Sequence, residues 1–336
     1  MSLADDWHSL ILGNAVDMMR YDAHLRAEIT GMIKTLGRDL AQEIINADLE
    51  TPRTDWQRAR LRSLLVEADS KITSAYSDVL DVHTSGMKAA VDAHTTGLVA
   101  AMNESAGVEL LDAIKWSPKL LKALVDDTLV NGAPIREWWT RQTQDLVQAF
   151  TDQMRQGMLR GENVAQLTSR VKPLEGVAER NAETLVRTSA MAVNNAAQVA
   201  TYAENADVLK ALQWCATLDP RTCLGCGVED GEQWEPDDST HMVPPLHWNC
   251  RCVVVPITKL WDDLGIEPPA GKRATIDGPI DKNTTWESWV KGLSEERQSE
   301  ILGPSRLKLW KAGKLTISDL VDQRGNTLTL EQLTGK

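Results

Sequence analysis

The residues able to do chemistry are gathered in one stretch. All five cysteines fall between Cys215 and Cys252, and His241 and His247 lie among them. Cys223 and Cys226 stand two residues apart. After a gap come His247, Cys250 and Cys252, again with two residues between the first pair. Two such groups of nitrogen and sulfur donors, brought together by a hairpin, are what zinc needs for a tetrahedron. Five thiols and two imidazoles exceed four positions, so the set must be chosen. Cys223 and Cys226 anchor it. The favoured site is Cys223, Cys226, His247 and Cys250 around a structural zinc, with Cys252 as the substitute donor. In an extended strand Cys250 and Cys252 would share a face and could both reach the metal. Cys215 reads as a small buried apolar residue and His241 as a loop residue. Disulfides are the competing use. Their number is odd, and Met1–Leu10 is acidic with no apolar core, so neither a signal peptide nor a full set of pairs is expected.

The flanks must hold these donors. Leu212–Leu218 alternates loosely and predicts a strand, and Asp219-Pro220-Arg221-Thr222 a turn into the first donor pair. Gly225 and Gly227 would let the backbone fold tightly around a metal. Asp230-Gly231 predicts a turn before a short strand at Gln233-Trp234. Cys252–Val255 predicts a third strand, ended by Pro256. The expectation is a small antiparallel sheet with the metal at one end. Arg221 and Arg251 flank the cysteines and are candidates to stabilise thiolates, although the strand alternation would turn Arg251 away from the metal, towards an acid elsewhere.

Residues 1 to about 210 read as almost wholly helical. Leu10, Ile11, Met18, Leu25, Ile29, Ile33, Leu36, Leu40 and Ile44 follow helical spacing, and Leu49-Glu50-Thr51-Pro52 should break that helix. A second series from Leu61 to Leu98 predicts a helix over about 55–103, roughly 70 Å long at about 1.5 Å per residue. His83 and His94 lie on or near its stripe and read as packing residues. Shorter helices follow, from Ser117-Pro118, over Ile135–Arg160, Val164–Val171 and Val177–Asn205. Glu267–Pro279 reads as a linker, and the tail from Trp286 onward as ordered. Seven of the twelve tryptophans lie from Trp214 onward, which places the compact aromatic core in the C-terminal third. The fold class is therefore mainly α with a small zinc-stapled antiparallel β-sheet (α+β). It divides into a helical arm (1–110), a domain at 111–265 with the zinc segment at 212–256, and a linker and tail at 266–336. The arm's long apolar stripe suggests a partner face.

The net charge of −12 argues against a general nucleic-acid binder, and no run of 18 apolar residues predicts a membrane span. No Ser-His-Asp or Cys-His pair and no glycine-rich phosphate loop is evident, so no catalytic residue is assigned and no enzyme is expected. An HNH-type nuclease would want an acidic residue directly before His241, where Thr240 stands, and a second histidine on a following helix. A zinc-ribbon adaptor binding nucleic acid would need Arg155, Arg160, Arg170, Lys172, Arg221 and Arg251 to form a local basic patch.

The order of motifs resembles the phage Mu F-like minor head proteins, the SPP1-type head-morphogenesis family. The residues that carry it are Gly157-Met158-Leu159-Arg160-Gly161-Glu162, Leu185-Val186-Arg187-Thr188 with Asn194-Asn195, Asp219–Cys226, Asp230-Gly231 and Pro244–Cys252. The tail from Trp286-Glu287-Ser288-Trp289 through Leu320 is similar too. The resemblance implies a structural protein of a tailed-phage virion, inside the head at the portal vertex and in the host cytoplasm during assembly. Its implied partner is the portal protein, engaged in several copies around the ring with the helical arm (1–110) as the portal-docking element; capsid or scaffold protein and packaged DNA are further contacts, with no membrane.

Overall fold

The computed structural model describes residues 7–47, 49, 54–259, 271–322 and 325–334. Two long helices open the chain, α1 (Trp7–Asn46) and α2 (Thr54–Ala106), close to where the apolar spacing put them. Glu50–Pro52, the expected break, lies outside the described residues, as does Trp261–Gly265. At about 1.5 Å per residue the 53 residues of α2 extend about 80 Å. Then follow α3 (Pro118–Asp127), the two-residue strands β1 (Leu129–Val130) and β2 (Ala133–Pro134), α4 (Ile135–Leu159), α5 (Val164–Ser169) and α6 (Val171–Glu204). Asn163 caps α5 with a full capping box: its side chain accepts from Gln166 N, and the Gln166 side chain accepts from Asn163 N.

The chain forms two compact units, neither continuous in sequence. One comprises residues 19–90 and 118–190, the other 1–18, 91–117 and 191–336. Both draw on residues 1–110. In the first unit the stripes of α1 and α2 are buried at Ile29, Ile33, Leu36, Leu40 and Ile44, and at Ile72 and Val79. The Tyr21 hydroxyl donates to Gly86 O at 2.9 Å, pinning one helix to the other. The apolar stripe read as a partner face is thus covered by the chain itself. The same unit buries His83 completely. Its Nδ1 accepts from Trp139 Nε1 at 2.9 Å, and its Nε2 lies 2.8 Å from Ser189 Oγ, which donates to Val186 O. That pattern fixes the neutral ring with its proton on Nε2, and confirms His83 as a packing residue.

In the second unit Trp7 Nε1 donates to Met102 O, Asn14 Nδ2 to His94 O, and Gln198 Nε2 to Asn14 Oδ1, all at 3.0 Å, tying the start of α1 to the ends of α2 and α6. The three-stranded sheet has order β4-β3-β5, all antiparallel, from β3 (Leu209–Cys215), β4 (Gln233–Trp234) and β5 (Val253–Thr258). Pro256 does not end β5; it sits opposite Leu212 in an edge strand, where a missing N–H is tolerated. The expected linker Glu267–Pro279 is, from Lys272 on, a hairpin of β6 (Lys272–Thr275) and β7 (Gly278–Asp281). The tail packs α8 (Trp286–Gly292), α9 (Glu295–Leu302) and α10 (Pro304–Lys311) around Trp286, Trp289, Val290, Leu302 and Leu320, before a last short helix at Leu330–Thr334. This is the aromatic core expected in the C-terminal third.

Burial pushes the His83 pKa from 6.5 down to about 3. Between those values the unfolded chain binds a proton that the folded chain refuses, so stability falls as pH drops, by about 1.4 kcal/mol per unit from this residue where the window is steepest. We expect the urea midpoint to fall between pH 7.5 and 4.5, and to fall less in His83→Gln. Equal falls would remove His83 as the cause.

Candidate metal centre

β3 leads towards the centre; two donors come from the start of a short helix beyond it and three from the loop before β5. Cys223 caps α7 (Leu224–Glu229): its Sγ accepts from Cys226 N at 3.3 Å, which turns both sulfurs to one side. The sequence reading gave Gly225 and Gly227 to a tight turn. The structure puts them in this helix, because neighbours press on it. A Cβ at Gly225 would collide with the Gly325 backbone, and one at Gly227 with the Trp286 ring.

The second donor group lies on the loop before β5. Cys250 N donates to His247 O at 3.2 Å, closing a turn in which Asn249 takes φ 61°, a left-handed conformation that asparagine accepts better than most residues. Cys250 and Cys252 do not share a strand face, since β5 begins at Val253. Side chains occupy the carbonyls that a ladder would otherwise use: Thr217 Oγ1 donates to Arg251 O at 3.3 Å, and Asn195 Nδ2 to Cys252 O at 3.0 Å.

All five expected donors converge. The donor atoms of Cys223, Cys226 and His247 lie within 4.8 Å of one another, as do those of Cys226, Cys250 and Cys252. Cys226 belongs to both groups. A tetrahedral zinc with bonds of about 2.3 Å to sulfur and about 2.0 Å to nitrogen would set sulfurs about 3.8 Å apart and sulfur from nitrogen about 3.5 Å. Cys226 Sγ lies 3.7 Å from Cys250 Sγ and 3.3 Å from His247 Nε2. His247 Nδ1 lies 2.9 Å from Trp248 O, a bond that keeps its proton there and leaves Nε2 for the metal side. The donor types and the two distances at Cys226 suit a tetrahedral cation, and the five donors form two groups of three that share Cys226.

The charges agree. The hydrogen bond from Cys226 brings the Cys223 thiol down to about 4 against the pull of burial, with His247 assisting. Cys250 is likewise held low, first by Cys226, while Cys226 itself is raised, first by Cys223. Cys226 pulls Cys252 down, but Cys250 and burial override it and leave it raised. His247 is lifted to about 11 by Cys223 and Cys250. A divalent cation would hold the chosen donors as thiolates beside a neutral imidazole and release protons on binding.

Arg251 turns to an acid, as the alternation suggested. It grips Asp219 with two bonds, 2.5 Å to Oδ2 and 2.8 Å to Oδ1. Burial would raise the Asp219 carboxyl, but Arg251 outweighs it and holds it low. The pair staples the turn before Cys223 to the loop of Cys250. The Arg221 side chain is largely exposed, 3.9 Å from Asp219. Cys215 stands apart, buried 3.4 Å from His8 Nε2, with its thiol pushed up to about 12 by burial. His241 stacks on Trp234, ring centres 4.1 Å apart, and joins neither donor group.

Asp230 went unrecognised as more than a turn residue. It is buried against Arg273, with both contacts at 3.0 Å, and accepts from Ala216 N at 2.7 Å and Trp286 N at 2.6 Å. Arg273 also donates to Thr284 O at 2.8 Å and to Ala216 O. Replacing Asp230 by Asn strands a buried guanidinium, which should cost about 3–5 kcal/mol. In chemical denaturation Asp230→Asn with Arg273→Met should cost less than the sum of the two single changes. Strict additivity would show that the two do not act as a pair.

Among the described residues no helix is long and apolar enough to cross a membrane. No curated protein matches the chain, and no solved structure does. A family match covers residues 148–255, from the middle of α4 into β5, and takes in every donor; the family is described as Phage Mu protein F like protein. That stretch is similar to the Phage Mu F-like family, in agreement with the order of its motifs.

Proposed function

We propose that the chain is a minor head protein of a tailed phage. It acts as a structural, non-enzymatic component of head morphogenesis, docked on the portal at its vertex and carried in the virion. The observation that supports this best is the match over residues 148–255, the stretch holding the whole donor cluster. Capsid or scaffold protein and packaged DNA are further contacts on this reading. In it the cluster staples a body rather than performing a reaction. Zinc bound by Cys223, Cys226, His247 and Cys250, with Cys252 beside them, would supply folding energy to a small sheet and the loops around it. A bound zinc supplies no redox chemistry and, with four protein donors, leaves no position for a substrate.

Two measurements test the reading separately. Elemental analysis of the purified chain should find about one zinc per molecule. A chelator, or Cys223→Ser, should unfold the 212–256 region, whereas Cys215→Ser should leave metal content unchanged. A fully folded chain without metal would defeat the structural-zinc role. For the partner, the full chain co-expressed with the portal protein of its own virus should co-purify in a complex stable to size exclusion. Separate migration of the two would defeat portal docking, and salt-sensitive DNA binding in its place would favour the nucleic-acid adaptor.

A further inference from the structure

We infer that Asn195 is a positioning residue for the metal centre, because its one side-chain nitrogen holds both ends of the loop that carries His247, Cys250 and Cys252. The inference rests on the metal reading above. Asn195 Nδ2 donates to Pro244 O and to Cys252 O, each at 3.0 Å. Pro244 comes three residues before His247, and Cys252 is the last donor. The whole second donor group therefore lies within the loop that this amide closes.

The residue type suits the task. A neutral primary amide offers two hydrogens from one atom; serine or threonine offers one, and an ionised aspartate none. Asn195 is fully buried on α6, outside the loop, so the helix fixes where its two hydrogens point. Its Oδ1 has no partner among the described residues. The first donor pair is held independently, by the Cys223 cap on α7. Loss of Asn195 should thus loosen the His247, Cys250 and Cys252 side of the centre while Cys223 and Cys226 stay in place.

The test uses the full chain loaded with zinc, and in parallel with cobalt(II) as a spectroscopic probe. In Asn195→Asp zinc should pass to a colorimetric chelator about 10–100-fold faster than in the unaltered chain, the range typical for loss of a group that orients metal ligands. Its cobalt absorption should weaken and shift as water replaces a protein donor. Asn195→Ser, which keeps one hydrogen and adds no charge, should fall between the two, and decides the matter if Asn195→Asp does not fold. Asn194→Ala is the control. Asn194 is equally buried on the same helix, so this change should lower the melting temperature yet leave zinc release and the cobalt spectrum as they were. Unchanged release and spectrum in both Asn195 variants would overturn the role of Asn195 while leaving the metal centre intact. An unaltered chain that takes up neither zinc nor cobalt would overturn both.

Discussion

The body that carries the donor cluster depends on one carboxylate. Asp230 stands where α7 ends and is wholly out of water. Its two oxygens receive Ala216 N at the end of β3, Trp286 N at the start of α8, and the guanidinium of Arg273 on β6. A charge taken out of water must be answered by an opposite charge and a full set of hydrogen bonds. That demand draws the sheet, the β6–β7 hairpin and the tryptophan-rich tail to a single point. The tail then closes over α7, with the Trp286 ring against Gly227 and the Gly325 backbone against Gly225. The donor cluster is built on the other consequence of the same arrangement, since α7 is the helix whose first turn turns Cys223 and Cys226 the same way.

What could be read from the chain followed from periodicity and spacing. The long helices were legible because an apolar residue every third or fourth position over forty residues fits little else. The donors were legible because cysteines are scarce and their spacing is short. What escaped depended on partners far away in sequence. Nothing local shows that Arg273 will be buried against Asp230, forty-three residues before it. The hairpin around it did carry a signal, Asp277-Gly278, but Gly271 and Pro279 made the stretch look like a linker. The glycines of α7 looked like turn residues because their real cause, a backbone approaching from residue 325, is invisible locally. The apolar stripe of the two long helices was found correctly, but its cover could not be told from sequence: a stripe shows that a face must be buried, not what buries it.

The two kinds of burial in the molecule serve different ends. His83, with Trp139 and Ser189 on its two nitrogens, is a neutral polar group satisfied on both sides and adds rigidity where the packing is otherwise apolar. The sulfur cluster instead gathers five nitrogen and sulfur donors at one place, in two groups that share Cys226. The first is complete in the chain by itself. The second could hold a cation, and the loops around it are pinned by Asn195 and by the Arg251–Asp219 pair.

The position of Gly325 has a consequence in time. The last donor of the cluster, Cys252, leaves the ribosome about seventy residues ahead of the glycine whose backbone lies against α7. At translation rates of about 5–20 residues per second, the last donor is made about 4–15 s before the backbone that lies against Gly225 of α7. The order is set by synthesis itself, with the donor atoms made first and the tail that packs on α7 supplied afterwards.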